Sequence, residues 1–296
     1  MTRSSRLESP KAPDRLPSEQ LQRKAGLTHA RFGQINFINC LPLTYPLLRA
    51  KTFEDVNFTL GTPAELNQAF SHGGLDLGAM SSFFFLEQSD FSLVPSISIA
   101  SIGPVGSVLF FADRDPRDLE KSTLAITADS ATSVNLLKIL FAETYGFIPR
   151  FEVTKTPEVT KDYAGALVIG DKALKSDSTW SKELVRVDMG QWWYEKFGLP
   201  MVFGCWAARN SWIDSNRERF NSICEELRSL FDKGLGVHFE QVLNEAEKTT
   251  GHSRTRLEHY YRNELNFDLT DRHREGLALY AKLCVKHGLL KTSAQF

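Results

Sequence analysis

Short apolar runs alternate with amphipathic helical stretches from about residue 31 to residue 208, and the chain beyond is almost wholly helical in pattern. The runs at 31–39, 58–61, 75–80, 91–94, 97–100, 102–111, 164–171, 185–188 and 201–208, with a further one near Phe151, have the composition and bounding turns of strands. The helices between them start on recognisable signals. Thr62-Pro-Ala-Glu65 supplies an N-cap threonine, a proline at the first helical position and a glutamate at the third, a full capping box. Residues 124–140 predict a strand, a tight turn and a helix. Ser130 is its N-cap, Thr132 and Ser133 occupy the first turn, Val134, Leu137, Ile139 and Leu140 form the buried face, and Gly146 ends it. Helices start again near Ser211, Gly236, His252 and Asp268, and no residue in that C-terminal region asks for chemistry.

Strands that alternate with helices define an α/β fold with largely parallel sheets. At 296 residues, two domains are the expectation. The polar, proline-punctuated segment 113–119 reads as a crossing into a second domain, and the apolar strand 201–208 as the return. The first domain is therefore expected at 30–112 and 204–296 and the second at 113–203, a two-lobed arrangement with a hinge and a cleft between the lobes. Residues 1–29, rich in Ser, Pro, Arg and Lys, are expected to be a disordered extension.

Charge changes the picture by exclusion. With 35 basic and 36 acidic residues the net charge is -1, which leaves no electrostatic case for nucleic acid or an anionic membrane and makes a small molecule the expected partner. No apolar run reaches the roughly 20 residues of a membrane span, and no secretion signal is read, so a cytoplasmic location is expected. Cys40, Cys205, Cys224 and Cys284 are far apart and read as buried, reduced thiols; with the scattered histidines they suggest no metal site, and no cofactor is expected.

Small polar residues fall at successive strand ends: Asn39, Ser81 and Ser82, Ser107 beside Gly103 and Gly106, Ser130 to Ser133, and Asp171. In an open α/β sheet such ends converge on one crevice. The helix after Ser130 has Ser133 where a capping box has an acid, so its N-terminal N–H groups, dipole and hydroxyls form a candidate anion cradle. Plain capping accounts for Ser130 and Asn39 equally well, a bulge for the glycines beside Ser107, and core packing for Trp192, Trp193 and Trp206. Asp171 is open to three roles: cap, orienting group or base.

Six ordered stretches carry a resemblance: Ile35-Asn-Phe-Ile-Asn-Cys-Leu-Pro-Leu43, Gly73-Gly-Leu-Asp-Leu-Gly-Ala-Met-Ser-Ser82, Ile102-Gly-Pro-Val-Gly-Ser-Val108, Asp129-Ser-Ala-Thr-Ser-Val134, Ile169-Gly-Asp-Lys-Ala-Leu174 and Asp188-Met-Gly-Gln-Trp192. Over about residues 31–210 the chain resembles the chorismate dehydratase family of the futalosine route to menaquinone, with Cys40 where that family has threonine. The resemblance implies a type II periplasmic-binding-protein-like fold and loss of water from chorismate to give 3-[(1-carboxyvinyl)oxy]benzoate without metal or cofactor. Ser130, Thr132 and Ser133 would hold the ring carboxylate and Ser81, Ser82 and Ser107, with Gly106, the other, or the reverse. Asn39 would place or protonate the leaving hydroxyl by hydrogen bonding, and the base would be Asp171 or the substrate's own enolpyruvyl carboxylate. The competing expectations are a carboxylate-binding protein without catalysis and the sibling naphthoate-forming enzyme of the same route.

Overall fold

The computed structural model describes residues 29–180 and 182–292, which form two five-stranded sheets joined by two crossings. The first sheet contains β1 (Ala30–Ile35), β2 (Val56–Gly61), β3 (Leu77–Ser81) and β4 (Phe91–Ser101). The second contains β5 (Val108–Ala112), β6 (Thr123–Ile126), β7 (Arg150–Val153), β8 (Gly165–Ile169) and β9 (Val185–Asp188). The chain then returns with β10 (Met201–Arg209) to complete the first. The strand orders are β2-β1-β3-β10-β4 and β7-β6-β8-β5-β9. In each sheet three adjacent strands pair in parallel, and the strand that arrives from the other lobe is antiparallel to both its neighbours.

Helices fill the connections because the parallel strands need crossovers. α1 (Leu41–Leu47), α2 (Pro63–Ser71) and α3 (Ser82–Glu87) belong to the first lobe, and α4 (Ala131–Tyr145), α5 (Gly170–Trp180) and α6 (Met189–Phe197) to the second. α7 (Asn210–Ser215), α8 (Arg217–Leu235), α9 (Phe239–Thr250), α10 (Arg254–His259) and α11 (Asp271–Lys286) complete the chain, with a π-helical turn, Tyr260–Glu264, directly after α10. α8 lays the stripe Phe220, Ile223, Leu227, Leu230 and Phe231 against the first lobe, next to α1. Trp193 and Trp206 are fully buried core residues. All four cysteines are buried free thiols, and burial pushes Cys224 and Cys284 up to about 12. Among the described residues no helix is long and apolar enough to cross a membrane.

The crossings differ from the sequence expectation. β5 pairs with β8 and β9, Val108 facing Ile169 and Leu109 facing Asp188, so residues 108–112 stand in the second sheet. The outward crossing is therefore at residues 102–107, not 113, and the polar segment after β5 is a surface loop with a short 3-10 turn, Pro116–Asp118. β10 joins the first sheet from Met201, ahead of the expected 204. The first crossing was concealed because Ile102-Gly-Pro-Val-Gly-Ser107 leads into β5 without a charged residue, whereas the segment 113–119 is rich in them. The runs 91–94 and 97–100 form one strand, β4, whose pairing with β10 shifts register around Ser96, which has φ 70. Of the expected extension over residues 1–29, only His29 lies within the described residues.

The outward crossing is held by one carboxylate. Asp188, at the end of β9, caps α6 by accepting from the N–H groups of Gly190 at 3.0 Å and Gln191 at 3.1 Å. It also accepts from Val105 at 3.0 Å and Gly106 at 2.8 Å. Four N–H donors on one buried carboxylate pin the hinge strand to the second lobe.

Candidate active site

The strand ends of both sheets open onto a cleft of about 510 Å³, lined on the first-lobe side by Asn39, Ser81, Ile99 and Phe203 and on the second-lobe side by Ser107, Ser130, Ser133 and Ile169. None of the described residues that line it is charged. Recognition of an anion there rests on hydroxyls, amides and backbone dipoles.

The 3-10 turn Ile38–Cys40 between β1 and α1 puts Asn39 into the wall. Its Oδ1 is buried without a protein hydrogen-bond partner, an acceptor left for a ligand by the rule that buried polar groups are paired. The turn itself is braced from two sides. Tyr261 Oη donates to Ile38 O at 2.7 Å. A buried relay runs from Trp206 Nε1 to Gln34 Oε1 at 3.0 Å, from Gln34 Nε2 to Thr44 Oγ1 at 2.9 Å and from Thr44 Oγ1 to Cys40 O at 2.9 Å.

Ser130 caps α4: its Oγ accepts from Ser133 N at 3.2 Å and donates to Ser133 Oγ at 2.9 Å. Both hydroxyls border the cleft, and no acid occupies the first turn. The capping expectation and the exposure to a ligand therefore hold together. Thr132 does something else. It is fully buried, is not in the cleft wall, and accepts from Phe83 N at 2.9 Å, tying α4 to α3 across the lobes. Ser81 reaches the cleft while capping α3, its Oγ accepting from Asn67 Nδ2 at 3.1 Å and Phe84 N at 3.3 Å. Ser82, one residue further, is buried behind the wall. Ser81 ends β3 and Ser82 opens α3, so their side chains point in different directions and only Ser81 faces the crevice.

Ser107 lines the cleft, and the turn before it needs glycine. Gly106 has φ +65, and a Cβ there would stand 2.1 Å from Glu264 Oε2 and 3.0 Å from Arg256 Nη2. Those two side chains form an ion pair at 2.9 Å between α10 and the π-helical turn. Tyr260, on the same turn, is wholly buried, and its ionisation is pushed up by desolvation first, with Ser107 beside it acting in the opposite sense. Sequence reasoning missed these C-terminal residues because nothing in the polar run 252–264 announces a fold back onto Ser107 and Asn39; the tyrosine pair within it was the one available signal.

Asp171 is not in this cleft. It lies in the first turn of α5 and lines an adjoining chamber that shares Phe37, Ile169 and Gly170 with the cleft. Burial raises its pKa above the ordinary carboxylate value, against the opposing pull of the Ile38 backbone N–H and His252.

Two open α/β sheets, linked by crossing strands and facing each other across a cleft whose mainly apolar wall carries Asn39 and four serines, define a periplasmic-binding-protein-like fold. A protein of Archaeoglobus fulgidus superposes with a TM-score of 0.65 at 16% identity, over 89% of this chain and 99% of that one. The periplasmic aliphatic sulphonate binding protein of Escherichia coli does so at 0.55 and 12% identity, over 90% and 94%. More particularly, the chain belongs to the menaquinone biosynthesis family, whose model matches residues 30–286. It is 31% identical over 266 residues to the chorismate dehydratase of Thermus thermophilus, covering 84% of this chain and 93% of that protein.

Proposed function

We infer that the protein is a chorismate dehydratase, a hydro-lyase of menaquinone biosynthesis that converts chorismate to 3-[(1-carboxyvinyl)oxy]benzoate and water. The observation that carries the chemistry is the N-terminus of α4, where Ser130 and Ser133 face the cleft with no acid of their own chain in the first turn. The reaction breaks the ring C–H bond beside the enolpyruvyl ether and the neighbouring C–OH bond. The C–H is vinylogous to the ring carboxylate, so the electron pair released on deprotonation spreads toward that group. N–H donors and a helix dipole fixed at this carboxylate stabilise the charge as it builds, in the manner of an oxyanion hole. Such donors act more strongly in the transition state than in the ground state, which is what lowers the barrier. Expulsion of the hydroxyl, helped by a hydrogen bond from the Asn39 amide and carried to water by the proton taken from the ring, then aromatises the ring.

We assign the proton to the substrate's own enolpyruvyl carboxylate, folded over the ring. The cleft wall offers no charged side chain to take it, and Asp171 faces the adjoining chamber. Ser81 and Ser107 remain as donors for the other carboxylate, while Ser82 and Thr132 act from behind the wall. Purified, metal-stripped protein mixed with chorismate is expected to yield an aromatic product lighter by one water, followed by chromatography and mass. Chorismate that is left intact but raises Tm would instead establish a binding protein. Asp171→Asn is expected to keep most of kcat; a fall of about 1,000-fold or more with the fold intact would make Asp171 the base.

A further inference from the structure

Of the two serines that donate to the enolpyruvyl carboxylate, one has its hydroxyl fully oriented and the other does not. Ser81 Oγ accepts from Asn67 Nδ2 and Phe84 N, so its lone pairs are taken and its own proton is left for the cleft. The backbone of Ser107 is fixed as firmly, its N–H donating to Val105 O at 2.7 Å and its carbonyl accepting from Gly170 N at 2.7 Å. Its hydroxyl is not. Ser107 Oγ donates to Val105 O at 3.3 Å, longer than a usual hydroxyl bond and made to a carbonyl that the N–H of the same residue already satisfies. With its proton turned back to the chain, Ser107 offers only lone pairs to the cleft, and a carboxylate is itself an acceptor.

Behind Ser107 stands a donor with nothing to bond. Tyr260 is wholly buried and absent from the cleft wall, and among the described residues its Oη has no hydrogen-bond partner. A buried phenol hydroxyl ordinarily has one. Ser107 is the side chain placed to receive it, whereas Asp171 and Glu264 act on the phenol only through space, and burial keeps it protonated. The ring is steadied by Tyr261, its centroid 5.5 Å away, and by the Arg256 guanidinium at 5.8 Å. Both tyrosines belong to the π-helical turn, an irregularity frequent at functional sites, and Tyr261 already braces the Asn39 turn through Ile38 O. We propose that Tyr260 is a positioning residue for the dehydration: when substrate binds, its hydroxyl donates to Ser107 Oγ and directs the serine's own proton at the enolpyruvyl carboxylate. The long bond to Val105 O is exchanged for a charge-assisted one, and the carboxylate that takes the ring proton is held by Ser81 and Ser107 together. The two successive tyrosines then serve one cleft turn each.

This inference rests on the chorismate reading, and the experiment separates the two. Wild-type protein is first assayed with chorismate and titrated calorimetrically with the dianion 3-[(1-carboxyvinyl)oxy]benzoate; neither turnover nor binding would sink the chorismate reading and the tyrosine's role with it. With turnover established, Tyr260→Phe is expected to lower kcat/KM about fivefold to tenfold and Ser107→Ala about 30-fold, while the double variant falls no further than Ser107→Ala. A tyrosine that only packs would lower both backgrounds by the same factor. That result, or an unchanged kcat/KM in Tyr260→Phe, overturns the proposal. Calorimetry supplies a readout independent of turnover and decides alone if the dianion binds without it. Tyr260→Phe should weaken binding of the dianion about fivefold and leave that of the monoanion 3-methoxybenzoate unchanged; an equal loss for both anions, or none for either, overturns the proposal. Should Tyr260→Phe fold poorly by Tm, Tyr260→Met fills the space without a donor and carries the same comparisons.

Discussion

Of the helix N-termini that border the cleft, those of α2 and α4 are capped in opposite ways. At α2, Thr62 Oγ1 accepts from Glu65 N at 3.3 Å and Glu65 Oε2 accepts from Thr62 N at 2.8 Å, so the helix end is closed by its own carboxylate. Only Pro63 of that first turn reaches the cleft. At α4 the same positions are Ser130 and Ser133, two hydroxyls without charge, and both reach it. A helix that carries its own anion has its dipole and donors spent, whereas one capped by hydroxyls is stable and still able to receive an anion. The positions are equivalent in the helix and differ in whether the third residue is an acid, and that choice separates a structural end from a binding one.

The comparison can be broken most severely by giving α4 the closure of α2. Ser133→Asp places a carboxylate where the substrate's should sit and is expected to cut kcat/KM at least about 100-fold while Tm is held or raised, read from steady-state kinetics beside a melting curve. A variant that kept its activity would remove the α4 end from the mechanism. Ser130→Ala sharpens the contrast. It removes the cap, for about 1 kcal/mol of stability, and a hydroxyl from the cleft, so both Tm and kcat/KM should fall. Thr62→Ala removes an equivalent cap that faces no substrate. A similar loss of about 1 kcal/mol, some 2 °C in Tm, is expected with kinetic constants unchanged.

The smallest effect concerns the third helix end in the region, that of α5, where Asp171 has an acid's favoured position beside the dipole yet is desolvated. Burial is the largest cause of its shift and raises its pKa above the unfolded value. The stability linked to its raised pKa is therefore fully present below the ordinary aspartate pKa and is lost as pH rises through the higher folded value. Asp171→Asn should remove that loss and make the protein slightly more stable at neutral pH than wild type, with a flatter Tm-against-pH curve across the acidic range. A variant less stable than wild type at pH 7 would show that the Ile38 N–H and His252 outweigh burial.

Elsewhere the match between local signal and structure follows how local the physics is. The capping box at Thr62, the serine cap at Ser130 and the left-handed stop at Gly146, φ 80, were legible because each depends on residues a few positions apart. Thr132 and Ser82 show the limit. Both belong to polar clusters at strand or helix ends, and both turn inward, because successive residues of a helix point about 100° apart and only some of a cluster can face the cleft. The crossing at 102–107 was misplaced for a related reason: whether an apolar run pairs with the first sheet or the second depends on partners more than fifty residues away.

By itself the sequence determined the α/β class, the two-lobed ligand-binding architecture, the family and the strand ends where polar residues gather, since periodicity, capping and turn chemistry are properties of neighbouring residues. Tertiary structure alone decided which of those residues share a wall. It brought Tyr260, Tyr261 and the Arg256–Glu264 pair back onto the turns that carry Asn39 and Ser107. It fastened the hinge to Asp188 and set Asp171 and Lys172 in a chamber of their own. Contacts of that kind join segments far apart in the chain and follow from how whole layers pack, which no local pattern encodes.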